Sequence, residues 1–234
     1  MGLLWSLFNP ILMLTVYTFM FSVVFQSRWN GGSDSKAEFA LVLFAGMIVF
    51  NIFAESITRA PSCIFNNANY VKKVIFPLEI LPCVALGSSL FHAAISLAVW
   101  LAAYILTFGT LQPTALLLPL ILLPVILISM GASWILAALG VYLRDIAQVV
   151  GILITALMFL SPIFYPVSAL PDAYRPLMLL NPLTPGIEQT RDILFWGHLP
   201  EWPMYCLSLI IGLVLTWIGF AGFQKMRKGF ADVL

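Results

Sequence analysis

The sequence predicts an all-α membrane protein, one domain of six transmembrane helices with short re-entrant or interfacial helices between the fifth and sixth. Three observations predict it. Hydrophobic residues make up 62% of the 234 residues and charged residues 9%, and the mean hydropathy is +1.02. A soluble domain is about 45–50% apolar and about 25% charged, and one core of this size has no room for the excess. Apolar runs recur along the whole chain at the roughly 20-residue length that crosses a bilayer core of about 30 Å. Basic residues gather on one side of the resulting arrangement.

The elements follow in order. The first span covers residues 3–25, and a polar loop, 26–38, follows it. The second span covers 39–60 and leads into a mixed polar, basic and apolar segment, 61–77. The third span is 78–108, followed by a tight turn at 109–113. The fourth is 114–141, with a short polar joint at 142–148, and the fifth is 149–165. A Pro-rich, semi-apolar segment fills 166–203 before the sixth span, 204–223, and a basic tail, 224–234.

An even number of spans puts both termini on one side. Arg59, Lys72, Lys73, Arg144, Lys225, Arg227 and Lys228 share that side, while Arg28, Lys36, Arg175 and Arg191 lie on the other. The excess of Lys and Arg places both termini, 61–77 and 142–148 in the cytoplasm.

Several classes of function are excluded. A net charge of +1 gives no electrostatic basis for nucleic-acid binding. Cys63, Cys83 and Cys206 are far apart, so neither a metal site nor a disulfide framework is expected. The apolar segment from Leu3 has no basic region before it and does not read as a signal peptide. There is no P-loop, HExxH or nucleophile elbow. Ser88, Ser89 and His92 are neighbours in sequence without a positioned acid. Glu55 and Glu79 sit near the cytoplasmic ends of their spans, and His92 lies within the third. Ion-coupled carriers keep ionisable groups near the midplane, so the energy source is expected outside this chain.

Other features suggest where function lies. Segment 166–203 breaks into apolar pieces too short to span, separated by prolines. It reads as short helices that dip in and return, or as a surface loop anchored by Trp196 and Trp202. Tyr17, Phe21 and Phe25 share a face at i, i+4, i+8 beside Thr15, Thr18 and Ser22. Phe159, Phe164 and Tyr165 crowd the outer end of the fifth span. Such rings suit a path for sugar rings, but from the residues alone they read first as lipid-facing aromatics at the interface. The stripes Ala94, Ala98, Ala102 and Ser129, Ser133, Ala137 read as intramolecular helix packing. The 61–77 segment reads as an amphipathic helix along the membrane, able to dock on a soluble partner.

Five strings then fall in a telling order: Leu4-Trp5-Ser6-Leu7-Phe8-Asn9-Pro10, the run from Lys72 to Pro82, Leu139 to Ile146, Ser161 to Pro166, and Asn181-Pro182-Leu183-Thr184-Pro185. Together they resemble the ABC-2 type permeases, closest to the transmembrane subunits that export O-antigen, capsule or teichoic-acid polysaccharides. The resemblance covers essentially the whole chain as a single domain, 1–234. It implies a non-enzymatic permease of the bacterial inner membrane. It also implies a homodimer with two ATPase subunits that carry the ATP and Mg, and a channel for a lipid-linked polysaccharide at the dimer interface. No cofactor is expected on this chain. By resemblance, coupling to the ATPase falls to Asn69, Tyr70, Lys72, Lys73, Glu79, Arg144 and Asp145, and the channel to Tyr17, Phe21, Phe25, Phe159, Phe164 and Tyr165. The family's cytoplasmic amphipathic helix before the first span has no counterpart in this sequence. The alternatives are an ABC-2 permease for a lipid or drug and, from a different class, an ion-coupled secondary carrier.

Overall fold

The structure, a computed structural model, describes residues 3–20, 36–67, 76–143 and 145–233. These residues form helices and turns, with no strand among them. The helices are α1 (Leu3–Tyr17), α2 (Lys36–Cys63), α3 (Ile80–Phe108), α4 (Leu118–Tyr142), α5 (Ile146–Leu160), α6 (Arg175–Leu179), α7 (Thr184–Arg191), α8 (Trp202–Arg227) and α9 (Phe230–Val233). Four of them, α2, α3, α4 and α8, are long and apolar enough to cross a membrane, and α1 and α5 are shorter apolar helices.

The bundle is built around α2. Every residue from 39 to 50 is buried, because α3, α4, α5 and α7 all pack against this helix. An all-round apolar sequence therefore marks an interior helix here, not a lipid-facing one. The α2–α3 contact is pinned at two levels. Trp100 donates its indole N–H to the Leu41 carbonyl at 2.8 Å, and the hydroxyls of Ser56 and Ser89 meet at 2.8 Å. The most extensive contact joins α4 and α8. Gly131 and Gly219 face each other there so closely that a Cβ on Gly219 would collide with the Gly131 backbone. The Thr216 hydroxyl donates across the same seam to the Leu127 carbonyl at 2.8 Å. Small residues permit this backbone approach in lipid, where hydrophobicity alone does not drive helices together. At the far end of α4, Gly140 lies against the Pro61 carbonyl of α2 in the same way.

Several sequence expectations shift. The fifth span, expected at 149–165, is the helix Ile146–Leu160. Pro162 has no N–H to continue the ladder, and the backbone turns away after Leu160. The 142–148 joint correspondingly shrinks to residues 143–145 between α4 and α5. The second and sixth spans are longer than expected, since Pro61 is accommodated in the last turn of α2 and Pro203 in the first turn of α8. Of the two small-residue stripes, Ser129, Ser133 and Ala137 are buried as expected, whereas Ala94, Ala98 and Ala102 are exposed on the outside of the chain. The stripe on α3 is not an intramolecular seam, because α3 uses its other face against α2.

Segment 166–203 contains α6 and α7 and a π-helical turn, Asp192–Trp196, closed by Gly197 at φ 70°. Its centre is Arg191, expected as an outer-face charge and found fully buried at 1% exposure. Its guanidinium donates to the carbonyls of Val42 at 3.0 Å, Ile163 at 2.7 Å and Pro162. Gly46 makes room for it, since a Cβ there would lie 2.6 Å from Nη2. A five-donor planar fork is the group that can satisfy carbonyls from separate segments at once. Gly186 of α7 lies beside Val49 of α2 and Val125 of α4. Val49 is thirteen residues into α2, about 20 Å along it.

Candidate functional site

Three regions of the bundle carry polar chemistry. The first is a cavity of about 540 Å³ between α1, α2 and α3. One end is ionic. Glu55 of α2 pairs with Arg59 one turn later and accepts from His92 Nδ1 of α3 at 2.8 Å. Arg59 also donates to the Ser88 hydroxyl at 3.0 Å. His92 thus has an acid partner, but Ser88 and Ser89 are engaged by Arg59 and Ser56. The serine–histidine pairing that hydrolysis needs is not assembled. Deeper in, the cavity is lined by Asn9, Asn51 and Tyr17. The two threonines beside Tyr17, Thr15 and Thr18, are turned onto their own helix carbonyls at 2.8 and 2.7 Å.

Tyr17 is the described member of the aromatic stripe expected on the first span. It is half-buried and packs against both large core clusters, around α2 and around Trp100. Phe21 and Phe25 lie outside the described residues. Phe159 is exposed on α5 and stacks on Phe164, ring centres 5.9 Å apart. The Tyr165 hydroxyl donates to the Phe159 carbonyl at 3.2 Å. These three rings form one cluster, and Tyr17 belongs to a different wall.

The second region joins the ends of α3, α4 and α8 on the Arg59 side. Glu79 accepts from Arg227 at 2.9 Å. The Glu79 carbonyl takes the Trp134 indole N–H at 3.0 Å. The Tyr142 hydroxyl donates to the Met226 carbonyl at 2.8 Å, and α9 closes the cluster with Phe230 buried on Phe223. Glu79 is therefore held to α8, and anything that moves the start of α3 pulls on α8 as well. Asp145 is exposed at the start of α5 and makes no side-chain cap. Asn69, Tyr70, Lys72, Lys73 and Arg144 lie outside the described residues. Within 61–77, the described part holds the last turn of α2, to Cys63, and a short 3₁₀ turn, Phe65–Asn67.

The third region is a cleft of about 330 Å³ at the opposite end, lined by Glu188, Arg191, Asp192, Trp196 and His198. His198 Nδ1 lies 3.8 Å from an Asp192 carboxylate oxygen in this cleft. Among the described residues no cluster of His, Cys, Asp or Glu could hold a metal ion.

Sequence reasoning missed two residues that organise these regions. Arg191 was counted as an outer-face charge, although it closes a run of short apolar pieces whose carbonyls need a buried donor. Asn51 lies in the middle of a long apolar helix, and an amide there is itself the signal.

A model of the ABC-2 type transporter family matches residues 1–195. The chain is 26% identical over 235 residues to the O-antigen export system permease protein RfbA of Klebsiella pneumoniae, covering 100% of this chain and 87% of that one. It is 28% identical over 236 residues to the protein of the same name in Myxococcus xanthus, covering 99% and 87%. It is 27% identical over 233 residues to the polysialic acid transport protein KpsM of Escherichia coli, covering 97% and 87%.

Proposed function

The chain belongs to the ABC-2 type transporter family, and from that premise we propose that it is the membrane-spanning subunit of an ATP-driven exporter of a lipid-linked polysaccharide. The observation that carries this reading is likeness over nearly the whole chain to permeases named for O-antigen export and polysialic acid transport. Among the described residues the ionisable groups of the bundle are paired with one another, as in Glu55–Arg59–His92 and Glu79–Arg227, and in this reading work is supplied from outside. Two ATPase subunits, holding ATP and Mg, supply it on the cytoplasmic side.

In this reading α1 and α5 join the four long helices as six spans, and α6 and α7 re-enter the membrane from the outer side. Both termini are cytoplasmic, and the membrane is the inner membrane of a bacterium. The protein is a homodimer. Its second copy meets α5, whose Ile152, Leu153 and Phe159 stand exposed. Tyr17, Phe21, Phe25, Phe159, Phe164 and Tyr165 line the glycan path, where rings stack on sugar C–H faces. The segment holding Asn69, Tyr70, Lys72 and Lys73 docks on the ATPase together with Arg144 and Asp145. Glu79, tied to Arg227, passes that motion from α3 to α8.

The test is co-purification in mild detergent from native membranes, followed by mass spectrometry. A stoichiometric P-loop ATPase supports the reading, and a chain that emerges alone argues for a self-contained carrier. Charge reversal at the docking segment, Lys72→Glu with Lys73→Glu, is expected to abolish surface glycan while membrane abundance stays at the wild-type level. Normal surface glycan in that variant removes these lysines from coupling.

A further inference from the structure

We propose that the cavity between α1, α2 and α3 is a saccharide-binding site formed within one copy of the chain, with Asn9, Asn51 and His92 as its hydroxyl-binding groups. The proposal rests on the polysaccharide-export reading and locates a contact for that substrate.

Asn51 is the only exposed residue between positions 39 and 57, a stretch otherwise buried or half-buried. It opens onto the cavity, as does Asn9 from α1. Neither amide has a hydrogen-bond partner among the described residues. Each primary amide carries two donors and an acceptor, and leaving them unpaired at membrane depth costs free energy. Water or a hydroxylated ligand must meet them. A volume of about 540 Å³ is within the range of small-ligand sites.

Charge selects the ligand class. Glu55 and Arg59 cancel each other. His92 faces Glu55 through Nδ1, and since a carboxylate only accepts, Nδ1 carries a proton and Nε2 is the ring nitrogen left for a ligand hydroxyl. An anionic group would have to displace Glu55 from its two cationic or donor partners, and a cation would have to displace Arg59. A neutral, hydroxyl-rich ligand disturbs neither. Trp5 and Tyr17, at the two ends of the α1 wall, add ring faces of the kind on which sugar C–H groups stack.

The experiment uses the full chain with its ATPase in cells that make the glycan. A photo-crosslinking residue, p-benzoylphenylalanine, replaces Asn51 in one variant and Ala98 in another. Ala98 is exposed on α3 away from the cavity. Irradiation is expected to give a glycan-bearing, high-mass ladder from position 51 and none from position 98. Equal labelling at both positions overturns the site, as does no adduct at position 51 in cells that still export. In parallel, Asn9→Leu with Asn51→Leu removes unpaired polar groups, so it does not threaten folding. It is expected to lower surface glycan about tenfold at unchanged protein abundance, with Asn51→Gln alone nearer to wild type. Unchanged export in the double variant also overturns the site. If the unaltered chain with its ATPase places no glycan on the surface, the export reading has failed, and this proposal fails with it.

Discussion

Arg191→Met is expected to destabilise the detergent-solubilised protein by about 2–6 kcal/mol. The reasoning counts acceptors. Val42 lies inside α2, where its carbonyl already belongs to the helix ladder, so that loss is small. Pro162 and Ile163 lie in the turn after α5, and Arg191 is their partner. Each buried carbonyl left unpaired costs about 1–3 kcal/mol. Methionine fills much of the volume, so the effect reads polar satisfaction and not a cavity. Arg191→Lys keeps the charge but not the fork, and is expected to recover only part of the loss. The measurement is thermal unfolding followed by size-exclusion chromatography of the remaining monodisperse protein. An Arg191→Met melting midpoint equal to wild type would show that the three carbonyls find other partners.

Gly219→Val is expected to abolish the native α4–α8 packing, at a cost of about 3 kcal/mol or more. Overpacking is usually relieved by moving side chains, but the obstacle here is the Gly131 backbone on the facing helix. The only relief is to separate the two helices, which breaks the largest helix contact and the Thr216–Leu127 hydrogen bond. Gly222→Val is the matched control, one turn further on, where a Cβ meets nothing within 4 Å. It pays only the small propensity term of a β-branched residue, which offsets the removal of a glycine. Comparing folded yields of the two variants in membranes reads the contact itself. Equal yields would mean that the seam opens at no cost.

Composition and span-length runs made the helical membrane fold legible, since a chain with 9% charge has few other stable forms. Helix ends were less legible. The Pro162 stop on α5 and the extension of α2 through Pro61 depend on which carbonyls find partners elsewhere, and that is a tertiary matter. The direction a helix faces was least legible. The α2 and α3 runs are both long and apolar, yet α2 is interior and α3 has few fully buried residues. Of the candidate site, the Phe159–Phe164–Tyr165 cluster followed from sequence proximity. The link of Glu79 to Arg227 and the meeting of Glu55 with His92 required the fold, because their partners are 148 and 37 residues away.

The burial of Arg191 also sets a clock on biosynthesis. Arg191 and Val42 are 149 residues apart. At a synthesis rate of about 5–20 residues per second, about 7–30 s pass between the emergence of the two. Until then the notch at Gly46 and the carbonyls of Val42, Pro162 and Ile163 lack the side chain that joins them, so this part of the bundle is completed late in synthesis.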